Sequence, residues 1–162
     1  MAKLLKLDLL RIIFESVLIP SQVFNEAVTQ GKRNNHPDAF LIEEAINEGW
    51  IRVWDVEERE QLAKIMEFGV HEGEAAAILL AKGKKITEIL VDQTHARKAA
   101  SVFGLKPRGT FFVLFLALKK ELITLEEFLG LSEQLITSGF RISAQIYSSV
   151  MKKAREMPQK GD

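Results

Sequence analysis

Three carboxylates, Glu26, Glu74 and Asp92, are the side chains of this sequence whose types and placement could do chemistry. Glu74 falls in HEGEAAAILLAKG, residues 71–83, in the expected first turn of an otherwise apolar helix, with Ala77, Ile78 and Ala81 on its own face. A carboxylate above such a face is costly unless a cation or a donor meets it. The plainer alternative is a first-turn Glu favoured by the helix dipole, which contributes only ~0.3–1 kcal/mol. Asp92 ends the apolar segment ILVD just ahead of a helix. Open parallel α/β sheets place ligand-binding groups at that edge; a cap from Asp92 or Thr94 on the following helix is the competing reading. Glu26, with Gln22, Thr29 and Gln30 as helical neighbours, reads by itself as part of a solvated polar face. Clustering would change that, because several carboxylates share a small volume only when cations offset their repulsion.

The remaining inventory narrows the chemistry. With no cysteine, thiolate zinc sites, disulfides and cysteine nucleophiles are excluded, so a metal would have oxygen or histidine ligands. His36, His71 and His95 have no useful metal-ligand spacing, and His71 reads as a polar group at the end of the Glu74 helix. Arg97 lies one helical turn beyond Thr94, where its guanidinium suits either a phosphate or an ion pair with Asp92. Lys106 and Arg108 could extend a basic rim, against the simpler reading of routine surface charge. Trp50 and Trp54 are expected on one face of a strand, anchoring a core or an interface.

The elements that must position these groups follow from hydrophobic periodicity. Residues 3–14 read as an amphipathic helix, SVLIP as an extended stretch, and Pro20 opens SQVFNEAVTQG, a helix expected to stop at Gly31. A helix follows over about residues 38–47, with Phe40, Leu41, Ile42, Ala45 and Ile46 as its apolar contacts. GWIRVWDV alternates as a strand, EEREQLAKIMEFG is a helix closed by Gly69, and ITEILVD is a buried strand. THARKAASVFG is helical, LKPRG holds a short edge strand, and Thr110 caps the apolar helix TFFVLFLALKKELIT. LEEFLGLSEQLITSGF and ISAQIYSSVMKKAREM give two further helices. Strands separated by helices predict an α/β fold with a mostly parallel sheet, although strands at 50–54, 86–91 and 105–108 alone would make a small one.

At 162 residues and 47% hydrophobic composition the chain is expected to form a single domain over residues 1–155 with a polar tail at 156–162. The apolar runs are far shorter than the roughly 18–20 residues a membrane helix needs, and Asp8, Arg11 and Glu15 interrupt the first of them, so a cytoplasmic protein is expected. Lys plus Arg and Asp plus Glu number 22 each, so any phosphate-backbone binding must come from a local basic patch.

VLIPSQVFNEAV, GVHEGEAAAILLAKG, ILVDQTHARKAASVFGLKPRGT and FFVLFLALKKELI together resemble successive blocks of the PIN-domain nucleases, especially the small prokaryotic toxin-like branch, over about residues 2–150. The resemblance implies a three-layer α/β fold, a mostly parallel central sheet flanked by helices. It also implies hydrolysis of RNA by an acidic quartet around Mg²⁺ or Mn²⁺. The family's helix glutamate falls on Glu26, its next acid on Glu74 and its strand-end aspartate on Asp92; Arg97 matches the arginine of the family's Ala-Arg pair. Two departures stand out. A second strand-end aspartate is Gln93 here. The family's opening central strand, which ends in the first metal aspartate, has no counterpart, and Asp8 lies inside the predicted first helix. Either the chain starts downstream of its natural start or the strand is lost, which accounts for the thin strand count. The expectation is therefore a metal-dependent ribonuclease and toxin, assembled as a homo-oligomer or with an antitoxin protein. The alternative is a non-catalytic RNA-binding or protein-interaction module.

Overall fold

The computed structural model describes residues 6–156, and a boundary after Thr110 divides them into two compact units. In the first, α1 (Asp8–Phe14) leads into β1 (Val17–Pro20). The predicted first helix thus begins at Asp8; residues 3–5 and the tail from 157 lie outside the described residues. Pro20 ends β1 in extended conformation and opens α2 (Ser21–Phe24), which continues as a π-helical segment, Asn25–Gln30, and then α3 (Gly31–Arg33).

Gly31 does not stop that helix, contrary to the expectation from sequence. Its backbone is right-handed, and a Cβ there would sit 2.9 Å from the Cβ of Ala39, so its role is close packing against α4 (Pro37–Asn47). The turn comes later, at Asn35, where φ is 55°. In α4 the buried residues are Ala39 and Ala45, while Phe40 faces outward with the Lys32 ammonium 5.5 Å from its ring centroid. The periodicity placed Phe40 inside; the tight Gly31–Ala39 approach turns the small residue inward instead.

β2 (Ile51–Trp54) pairs in parallel with β1. Because it starts at Ile51, Trp50 is not on the strand face shared with Trp54. Trp50 is buried and its indole N–H donates to Glu48, whereas Trp54 is half-exposed beneath Lys84. α5 (Arg59–Met66) ends near Gly69, whose φ of 76° is left-handed, and α6 (Glu72–Gly83) follows. Then come β3 (Glu88–Leu90), α7 (Thr94–Val102) and β4 (Lys106–Arg108), with β4 parallel to β3. Pro107 lacks a backbone N–H and is tolerated because β4 has only one ladder neighbour among the described residues.

The expected strands are therefore parallel, but they form two separate pairs, β1–β2 and β3–β4. α6 packs on both β1 and β3 and ties the pairs together. The core of this unit joins Ile78 of α6 to Leu62 and Ile65 of α5, Ile89 of β3 and Ala96, Ala99 and Ala100 of α7, all buried. Alanines on α6 and α7 let the helices approach closely.

The second unit contains α8 (Thr110–Lys119, whose first residue belongs to the preceding unit), α9 (Leu125–Thr137) and α10 (Ala144–Arg155). Thr124 and Glu127 form a reciprocal capping box at the start of α9. Phe111 meets the rings of Phe140 and Tyr147 edge to face. No helix among the described residues is long and apolar enough to cross a membrane.

Candidate metal and nucleic-acid site

The packing of α2 on α6 seats Glu26 against Gly73, the residue before Glu74. Gly73, the second residue of α6, lies so close that a Cβ on it would be 3.2 Å from Val23 and 3.3 Å from Glu26 Oε2. The Glu26 carboxylate therefore rests against the first turn of α6, one residue from Glu74, where the exposed amide ends of a twelve-residue helix favour negative charge. Glu26 itself sits in the π-helical segment, a rare conformation concentrated at functional sites. Glu74 has one structural duty: its Oε2 accepts the His71 backbone N–H at 3.1 Å. His71 is thus part of the helix entry, as its sequence position suggested.

Asp92 follows β3 and has a different set of partners. Its Oδ1 accepts the Thr110 backbone N–H at 2.7 Å and its Oδ2 accepts the Thr110 hydroxyl at 2.6 Å. The helix it serves is not α7, as capping logic suggested, but α8, whose first residue is Thr110. Gly109 makes this possible, since a Cβ there would come within 2.8 Å of Asp92 Oδ1 and 3.3 Å of Arg97 Nη1. Arg97 donates to the Val91 carbonyl at 3.2 Å, which folds its guanidinium back alongside the Asp92 site.

Lys106 and Arg108 both belong to β4. Arg108 donates to Glu88 Oε1 through Nε at 3.0 Å and Nη2 at 2.7 Å, a cross-strand pair that ties β4 to β3. Both partners are substantially exposed, so the pair contributes at most ~1 kcal/mol.

Carboxylate oxygens are the donors that hard divalent cations prefer. Yet both Asp92 oxygens are engaged by Thr110, and among the described residues no group of three or more Asp, Glu or His side chains is disposed to hold a metal ion. Gly73, Gly109 and Thr110 were not among the residues that sequence reasoning assigned to the site. The local signals were a glycine between two acids in EGE and a glycine before the capping threonine in PRGT, and neither says what will approach it.

A family model described as a PIN domain matches residues 1–156, across both compact units. No curated protein and no solved structure matches the chain.

Proposed function

The chain belongs to the PIN-domain family, and from that premise we propose that it hydrolyses RNA phosphodiester bonds with Mg²⁺ or Mn²⁺ held by Glu26, Glu74 and Asp92. The observation that carries this reading is the seating of the Glu26 carboxylate against Gly73, next to Glu74, at the amino end of α6. Glu74 closes the helix entry through His71, but that duty does not call for Glu26 beside it, and the helix end alone offsets only part of the repulsion between two acids.

A divalent cation bound there would lower the pKa of a water and oppose the charge of the scissile phosphate. The chain's own groups do the rest. Glu26 and Glu74 supply oxygens from two helices, and Thr110 fixes the rotamer of Asp92 so that only its outward lone pairs remain for a ligand. Arg97, Lys106 and Arg108 supply phosphate contacts that hold RNA without reading its bases.

In this reading residues 1–155 work as one domain, a view supported by a family match that crosses the boundary after Thr110. The protein acts in the cytoplasm as the toxin of a toxin–antitoxin pair, assembled as a homo-oligomer or with an antitoxin protein.

One observation favours a second reading. Both oxygens of Asp92 accept from Thr110, a structural role that a non-catalytic RNA-binding or protein-interaction module would keep. Titration with Mn²⁺, followed by electron paramagnetic resonance and by cleavage of a labelled RNA, separates the two. The nuclease reading expects saturable Mn²⁺ binding and cleavage, both weakened ~10-fold or more by Glu74→Gln or Glu26→Gln. RNA binding without Mn²⁺ binding or cleavage would establish the non-catalytic module instead.

A further inference from the structure

β2 is an edge strand. Among the described residues β1 is the strand paired with it, and its outward side has no strand partner. The Val17 N–H donates to the Trp50 carbonyl, and the parallel register runs Leu18↔Arg52, Ile19↔Val53 and Pro20↔Trp54. In such a ladder Arg52 and Trp54 turn their backbone N–H groups toward β1, so Ile51 and Val53 turn their N–H and C=O groups outward. Side chains alternate as well, which puts Arg52 and Trp54 together on one face. Both are exposed, Trp54 by 48%.

The charges on that face are unevenly shared. Trp54 borders a hollow of about 190 Å³ whose lining includes Asp55, Glu57, Glu58 and Lys84. The Lys84 ammonium stands 3.0 Å from the indole centroid, one cation against three carboxylates. Arg52 does not supply a second cation. Its Nε reaches back to the Gly49 carbonyl at 3.5 Å, away from Trp54, and it joins none of the ion pairs among the described residues. A guanidinium without a carboxylate and an aromatic, acid-walled hollow short of positive charge thus stand two residues apart on one strand.

We propose that the outward edge of β2 pairs with the same edge of a second copy of the chain, antiparallel about a two-fold axis at Val53. An arginine on a short edge strand ordinarily blocks pairing, and the register decides whether it does so here. An axis at Arg52 would set two guanidinium groups directly opposite each other, which is destabilising. Moving the axis one residue, to Val53, lets the two Val53 residues exchange both backbone hydrogen bonds and sets Arg52 opposite the second copy's Trp54, twice by symmetry. Arg52 and that tryptophan form a non-hydrogen-bonded pair, in which side chains approach most closely. The guanidinium then meets the indole beside Asp55, Glu57 and Glu58, and β1–β2 becomes half of a four-stranded sheet. Strands of four residues bury little area, so the dimer is weak and concentration-dependent. This interface rests on the homo-oligomer proposed above and not on RNA cleavage.

Sedimentation equilibrium on the full chain over a concentration series should show monomer and dimer in exchange. Val53→Pro removes an outward N–H that β1 does not use, and Arg52→Glu turns the approach to the three acids into repulsion. Each should weaken the dimer ~10-fold or more while far-UV circular dichroism and thermal midpoint report retained folding. Because the chain has no cysteine, oxidation reads the register. An equimolar mixture of Arg52→Cys and Trp54→Cys chains should cross-link as the heterodimer, since the Cα atoms of such a pair stand about 4.5 Å apart, within disulfide range. Either variant alone should cross-link far less. Arg52→Cys chains that cross-link by themselves as readily as the mixture would overturn the register and the arginine–tryptophan contact. A dimer unmoved by both Val53→Pro and Arg52→Glu would overturn the interface while leaving the homo-oligomer standing. A chain that stays monomeric throughout the series would overturn the homo-oligomer and this interface together.

Discussion

Among the three acids Asp92 is the most constrained, and its constraint makes separable predictions for stability and for chemistry. Thr110 is buried, so removing its acceptor leaves a buried N–H and hydroxyl without their partner. Asp92→Ala should destabilise the fold by about 1–3 kcal/mol in urea denaturation, whereas Asp92→Asn keeps one carbonyl acceptor and should lose less than half of that. If Asn and Ala variants are equally unstable, the amide does not replace the carboxylate at Thr110. If the Asn variant remains stable and retains full Mn²⁺-dependent cleavage, Asp92 is a structural residue and not the ligand proposed. Gly109→Ala should mimic the loss from the other side by about 1–3 kcal/mol, because its Cβ would enter within 2.8 Å of Oδ1. The placement of Asp92 just beyond a strand was legible in ILVD. Its partner was not, because Thr110 reaches it only after β4 has returned beside β3.

At the scale of elements, glycines with opposite roles give a direct comparison. Gly31 packs on Ala39 at a distance no added methyl can occupy, so Gly31→Ala should cost about 1–3 kcal/mol by forcing α3 and α4 apart. Gly130, inside α9, has open space where a methyl would stand, with nothing within 4 Å, and Gly130→Ala should raise stability by about 0.5–1 kcal/mol through helix propensity. Paired thermal melts check both signs, and a stabilising Gly31→Ala would mean that the α3–α4 approach is loose. The same contrast explains what sequence patterning captured. Helix positions were readable because apolar spacing and terminal glycines such as Gly69 are local signals. Gly31 carried the same letter but a tertiary role, and the π-helical turn holding Glu26 has no periodicity of its own to reveal it. The strands were readable one by one from VLIP and ITEILV, while their division into two pairs depends on which backbones meet across α6.

For the molecule as a whole, equal numbers of acidic and basic side chains mean that affinity for RNA has to come from a few local contacts. The proposed set is Arg97, Lys106 and Arg108, of which Arg97 already donates to Val91 and Arg108 to Glu88. Each phosphate neutralised on single-stranded RNA contributes about 0.7 to the slope of log affinity against log salt, so three contacts predict a slope near about −2. Fluorescence anisotropy with a labelled oligouridine across a KCl series measures this directly. Lys106→Gln, which disturbs no hydrogen bond described for β4, should make the slope shallower by roughly 0.7 and weaken binding uniformly across RNA sequences. A homo-oligomer that laid one RNA across two sites would double the contacts, giving a slope of about −4 that returns to about −2 on dilution to the protomer. The exposed Ile12, Phe40 and Trp54 of the first unit provide apolar surface for such assembly, and mass measurements over the same concentrations must change in step with the slope. A slope steeper than about −4 at a constant protomer mass would contradict this account, because it would require a basic surface broader than the three side chains named.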